Sequence, residues 1–398
     1  MTHNATLETA RTELQQLLQC ALMLELSTIP AYATACYSIK EQGQYDRSAP
    51  QIVNAEPIEV LRQVMVEEML HMVLVANVLN AIGCSPKLND PDLLPRYPCK
   101  LLCGKGPTLH LRCFMPEQIK AFREVEKGPP DWHNAEKGDY RTIGGFYYWI
   151  RLRLEQACKE HGAANLFTGS PELQIGPEDY YGAGGEIIAI KGSADERQER
   201  ALRALTEVMR EGEGATFGYA ADFEESEAAA HPAAKDLSYV AGDGDRIPSP
   251  EGEERWDIAH YFKFNEILHS RYYLAEDRID APPSGGDLAV DWNAVWPMKD
   301  DPMPGDYCDY PEIEGLSRQV NLTWTKLLNG LHAALNGKKS ELGGLVALMY
   351  QLKDATQRLI RVPLPDDPGT TAGPTWEYLG ADVSEQPNTA KKYTSANR

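Results

Sequence analysis

The sequence predicts an all-α protein, a four-helix bundle with long inserted loops and a C-terminal helical hairpin. Three observations carry this. Long segments repeat their apolar residues with a helical period. Carboxylates and imidazoles lie inside two of those apolar faces. The connecting stretches are rich in Pro and Gly and hold one short alternating segment, which leaves room for a small β hairpin at most.

The first helix is expected from about residue 7 to 39. Leu14, Leu18, Ala21, Leu22, Ile29 and Tyr32 form its stripe, with Glu25 at the centre and Pro30 removing one backbone hydrogen bond. The second runs from Val60 to Ile82 and ends at Gly83. At 100° per residue, Leu61, Val64, Met65, Glu68, His71, Met72, Val75 and Leu79 fall within about 60° of one direction. Residues 84 to 195 read as an insertion over one end of the bundle, with a strand or hairpin near Thr108 to Phe114 and a helix from Ile143 to His161.

The next helix, residues 195 to 213, buries Ala201, Leu202, Leu205, Val208 and Met209. Relative to Leu205, Glu207 sits near 200° and Glu211 near 240°, whereas Glu213 sits near about 80°, at the edge of the apolar face. Glu213 is therefore its candidate ligand. Residues 255 to 277 form a further helix with Glu266-x-x-His269. There Ile258, Phe262, Glu266, His269 and Tyr273 share a side, and His260 lies about 180° from His269. His260 is the alternative ligand, or a residue behind the ligands. Two helices, Ile313 to Asn336 and Ser340 to Arg361, make the hairpin, and the end of the chain reads as disordered. One core is expected, with residues 1–275 as the bundle and 276–398 packed on it.

Burying an unpaired carboxylate costs several kcal/mol, so a Glu and a His one turn apart on a buried face need a partner. Glu25, Glu68/His71, Glu213 and Glu266/His269 give Glu, ExxH, Glu, ExxH in chain order, the carboxylate-bridged di-iron pattern of a ferritin-like bundle. Four carboxylates offset the charge of two divalent ions, and hard oxygen with imidazole suits iron (Fe2+/Fe3+) first and manganese second. The alternatives are a hydrogen-bonded Glu68–His71 pair, a Glu25 facing a polar interior or Arg62, and an exposed Glu266–His269 face.

Composition excludes other classes. A formal charge of -20 repels nucleic acid and anionic membranes. Eight cysteines without a CxxC pair read as reduced thiols of a cytoplasmic protein. The polar N-terminus lacks a signal-peptide core, and no apolar run approaches a membrane span. No attachment motif indicates haem.

The stretches LELSTIPAYATACYSI from Leu24 and EVLRQVMVEEMLHMVLVANVLNAIG, with EGEGA at 211–215, HYFKFNEI at 260–267, MYQLKDATQRL and AGPTWEYL, resemble the ferritin-like domain family associated with iminophenyl-pyruvate dimer synthases of violacein and rebeccamycin biosynthesis. In those enzymes the similar region belongs to a longer, haem-associated chain that couples two imino acids derived from tryptophan. The resemblance implies the fold and the site rather than the coupling. It places Glu25, Glu68, His71 and Glu213 in motif segments, and it raises His260, which HYFKFNEI contains together with Glu266, as the explicit alternative to His269. Gly145 stands where similar proteins lead one to expect an acidic residue.

The function expected is a metal-dependent oxidase or oxygenase of a small, amino-acid-derived molecule in a biosynthetic pathway. Its partners are that substrate and dioxygen, with a homodimer as the assembly left open. Iron oxidation or iron binding without an organic substrate, and a metal-free structural or interaction protein, are the alternatives.

Overall fold

Two long helices form the centre of the molecule. The computed structural model describes residues 6–40, 54–128, 137–179, 186–213, 241–248, 254–274, 277–278 and 281–381. Helix α1 (Leu7–Ser38) is capped by Thr6, whose Oγ1 accepts from the Thr9 N–H at 3.2 Å. It runs unbroken through Pro30. Around the missing proline donor, the hydroxyls of Ser27, Thr28 and Thr34 donate to the carbonyls of Leu24, Glu25 and Pro30 at 2.6, 2.7 and 2.6 Å.

Helix α2 (Ala55–Ala81) lies along α1. By length and composition α2 is apolar enough to cross a membrane, contrary to the expectation that no run is. Its most apolar 18-residue window is nonetheless 89% buried inside the molecule. The helix is hydrophobic nearly all round because protein surrounds it.

Helix α3 (Pro116–Val125) starts with Pro at its first turn and buries Ile119, Phe122 and Val125. Sequence reading subsumed it in the loop-rich stretch. Helix α4 (Ile143–His161) is capped by Thr142, and a short α5 (Ala163–Leu166) follows. Helix α6 (Ala194–Val208) opens with a capping box between Ser193 and Glu196 and continues as a π-helical turn, Met209–Glu213. The set is completed by α7 (His260–His269), α8 (Pro311–Leu335) and α9 (Leu342–Ile360).

The bundle consists of α1, α2, α4 and α6: α4 packs on α1, and α6 packs on both α2 and α4. The expected insertion at 84–195 thus contains one bundle helix. Its buried Ile143, Phe146, Ile150 and Leu154 provide the apolar stripe that a bundle position requires. Outside the four helices, α3 packs on α7, which also touches α2 and the π turn. The segment expected as one helix over 255–277 is divided. Glu254–Ile258 is a strand paired antiparallel with Ala241–Pro248, and the helix begins only at His260.

Two small hairpins complete the strands, Cys99–Lys100 with Thr108–Leu109 and Pro363–Leu364 with Asp367–Thr371. The α8–α9 hairpin lies on the bundle through α9 and α1. The Pro-rich stretch before it is tied down by backbone bonds: Lys40 N–H donates to Ala294 O at 2.9 Å and Trp296 N–H to Ser38 O at 2.8 Å. The segment after it inserts Trp376, whose indole N–H donates to Thr34 Oγ1 at 2.9 Å. The expected disordered end, NTAKKYTSANR, lies outside the described residues. Among the described cysteines all are free thiols.

Candidate metal centre

Glu25 in the middle of α1 and Glu68 and His71 on α2 meet where these helices pack, each fully buried. Two more buried groups face them from outside the bundle: Glu126, which caps the end of α3, and His260, the first residue of α7. Glu68 is the hub. Its Oε2 lies 3.7 Å from His71 Nδ1, and its Oε1 lies 3.2 Å from His260 Nδ1. Glu25 Oε2 is 3.4 Å from His71 Nδ1, and Glu126 Oε2 is 3.5 Å from His260 Nδ1.

The result is two triads that share one carboxylate: Glu25, Glu68, His71 and Glu68, Glu126, His260. Within each, the donor atoms all lie within 4.8 Å of one another. Three of the four spacings are longer than good hydrogen bonds. Donors about 2.1 Å from one ion stand roughly 3.0 Å apart in an octahedron and roughly 3.4 Å apart in a tetrahedron, so the separations match ligands around an ion.

The polar bookkeeping leads to the same place. Glu25 Oε2, both oxygens of Glu68, Glu126 Oε2 and His260 Nδ1 are buried without a hydrogen-bond partner among the described residues. Buried polar atoms are almost always paired, and one cation in each triad would satisfy all five. The outer oxygens are already engaged: the Tyr147 hydroxyl donates to Glu25 Oε1 and the Tyr32 hydroxyl to Glu126 Oε1. Each terminal carboxylate therefore has one oxygen held by a phenol and one directed inward. Behind His260, Nε2 is 2.8 Å from Glu67 Oε2, and Lys263 Nζ donates to both Glu67 oxygens at 2.8 Å.

Without a cation the cluster redistributes its protons. Burial, reinforced by the charge of Glu68, pushes the Glu25 carboxyl up to about 8. Burial and Glu68 raise Glu126 likewise. Burial also opposes ionisation of Glu68, but the adjacent imidazoles of His260 and His71 outweigh it and hold Glu68 below the usual carboxylate range. Burial would lower His260, yet Glu126, Glu67 and Glu68 together raise it. For Glu67, burial is outweighed by Lys263 and His260, which bring it down to about 2.

The fourth wall is backbone. Gly212, in the π turn, is placed so that a Cβ there would lie 3.3 Å from His71 Cε1 and 3.5 Å from His260 Nδ1. A π turn interrupting a helix beside a site is a frequent arrangement, and the glycine keeps that side of the ligand atoms clear.

Of the residues singled out from sequence, Glu25, Glu68 and His71 are brought together, and His260 joins them from α7. Glu266 and His269 are not in the cluster. Glu266 is buried, but its Oε1 accepts the backbone N–H of Tyr273 at 2.8 Å, closing the end of α7. His269 is exposed on the last turn. The angular argument fails here because α7 starts at His260 and is buried on both faces, Lys263 and Ile267 on one and Phe262 and Glu266 on the other. The Glu213 side chain lies outside the described residues, and its backbone closes the π turn. Gly145 is buried in the first turn of α4, two residues before Tyr147. Sequence reasoning missed Glu126. Its signal was the helical spacing of Ile119, Phe122 and Val125 immediately before it.

A family model described as ferritin-like matches residues 18–235. Among solved structures, the chain is similar to a ferritin-like protein from Caulobacter vibrioides. The two are 17% identical, with 92% of this chain and 98% of that chain covered, at a TM-score of 0.49. No curated protein matches the chain.

Proposed function

Because the chain belongs to the ferritin-like family, we propose that its buried cluster holds two metal ions and that the protein is an oxidase or oxygenase of a small, amino-acid-derived molecule. Iron is the metal its donors suit best, and manganese is second. The observation that carries this reading is the sharing of Glu68 between two three-donor triads. Closed structural sites surround an ion with four protein ligands, whereas sites that do chemistry keep a position open. Three protein donors per ion among the described side chains, in a buried interior, favour chemistry over a structural role.

When bound, a pair of redox-active ions supplies electrons to dioxygen and an electrophilic centre to the substrate. The chain's residues do the rest. Glu68 would hold both ions, Glu25 with His71 one of them, and Glu126 with His260 the other. Tyr147 and Tyr32 hold the terminal carboxylates by their outer oxygens. The wall at Gly212 leaves space beside both imidazoles. The substrate class rests on the resemblance of the Leu24, Glu59, Glu211 and His260 segments to domains associated with imino-acid chemistry.

Metal analysis of iron-grown protein, followed by oxygen uptake across amino acids and their 2-oxo and imino derivatives, tests the reading. Two ions per chain, lost together in Glu68→Ala, with uptake dependent on an organic compound, would support it. Uptake with Fe2+ alone would assign iron oxidation instead, and absence of metal from the wild type would leave a structural or interaction protein.

A further inference from the structure

Resting on the metal centre proposed above, we propose that the buried Glu67–Lys263 pair positions His260 to ligate through Nδ1, and that this pair decides whether the second metal position forms. An imidazole has two nitrogens, and which of them carries the proton is set by the partner of the other. His260 opens α7. Consecutive residues of α2 meet both of its nitrogens: Glu67 Oε2 is 2.8 Å from Nε2, and Glu68 Oε1 is 3.2 Å from Nδ1. The shorter contact has hydrogen-bond length and marks Nε2–H as the donor to Glu67. With Nε2–H committed to Glu67, Nδ1 is the nitrogen left to give up its proton and ligate an ion beside Glu68 and Glu126.

Glu67 can act this way only if it is fixed in place and its charge is offset. Lys263 does both. It stands one turn after His260 on α7 and reaches both Glu67 oxygens at 2.8 Å, and the two side chains are only 6% and 2% exposed. The ion pair adds no net charge to a cluster already rich in carboxylates. It also ties the helix that carries His260 to the helix that carries Glu68. The other triad is built by α1 and α2 alone, so the pair touches one metal position and not its neighbour.

The test is an anaerobic Fe2+ titration of wild type, Lys263→Met and Glu67→Gln by calorimetry, with melting curves in chelator. The expected result is two ions in the wild type. In both variants one ion binds with wild-type affinity and the other about 10- to 100-fold more weakly. A second measurement needs no variant of the pair. Histidine 15N NMR of the Zn2+-loaded wild type, assigned with His260→Gln, should show His260 protonated at Nε2 and metal-bound at Nδ1. Unchanged affinity for both ions in the variants, a proton on Nδ1, or equal weakening of both ions alongside a lower melting temperature would each overturn the assignment while leaving the centre itself standing. A wild-type chain that takes up no metal would overturn both.

Discussion

The pH dependence of the metal-free chain should isolate Glu25. Its carboxyl is pushed from the ordinary 4.5 to about 8, first by burial and then by the charge of Glu68. The folded chain therefore keeps a proton that the unfolded chain releases. Stability from this group is fully present below the unfolded value and is lost as pH rises through the folded one. At about 1.4 kcal/mol per pH unit, the interval from 4.5 to about 8 amounts to an upper bound on the order of 5 kcal/mol, reduced because Glu25 shares its proton with Glu68. Glu25→Gln keeps the shape, still accepts from Tyr147, and cannot ionise. Urea unfolding with chelator at pH 5 to 9 should show the wild type losing several kcal/mol that the variant retains. With metal added, the wild-type slope should reverse, since ligation requires the ionised carboxylate. Parallel metal-free profiles for the two proteins would refute the placement of that proton.

Three further outcomes follow from particular contacts. Gly212→Ala brings a methyl to 3.3 Å from His71 Cε1; overpacking of about 1–3 kcal/mol, offset in part by helix propensity of about 1 kcal/mol, should leave the chain folded with weakened metal binding in the titration. His269→Ala, on an exposed turn, should change stability by less than about 0.5 kcal/mol and leave the metal content intact, and loss of one ion would return His269 to the ligand set. Trp376→Phe removes the buried bond to Thr34 and should cost about 1–2 kcal/mol in urea unfolding, without changing metal stoichiometry.

The part of the site that sequence made visible is the part built by two long helices. Glu25, Glu68 and His71 stand in runs where the 100° period holds over several turns, so a polar residue on the apolar face is conspicuous. The fold was legible for the same reason: α1, α2, α4, α6 and the α8–α9 hairpin all carry sustained stripes. What could not be read depends on tertiary placement. Glu126 follows a helix of only ten residues, in a stretch dominated by loop-forming residues. His260 opens a ten-residue helix buried on both faces, so its angle to His269 does not tell a ligand from a core residue. Tyr32 stands in the apolar stripe of α1 and is a core aromatic, as is Tyr147 on α4; only the positions of Glu126 and Glu25 give their hydroxyls a further role.

These differences also show why the two triads are unequal. In the Glu, ExxH, Glu, ExxH pattern every bundle helix supplies ligands. Here, among the described side chains, α4 brings Tyr147 to support Glu25, and α6 brings Gly212 to the wall. The remaining donors come from α3 and α7, which pack chiefly on each other and dock onto the bundle through Tyr32, whose ring meets Phe122 at 4.5 Å and Phe264 at 5.4 Å. The first triad therefore forms whenever α1 and α2 pack. The second forms only when α3 and α7 are seated, and their seating is held by apolar contact at Tyr32 on one side and by the buried Glu67–Lys263 pair on the other. A metal ion at the second triad would join the same elements through Glu68, Glu126 and His260, so binding there and docking of α3 and α7 must stabilise each other.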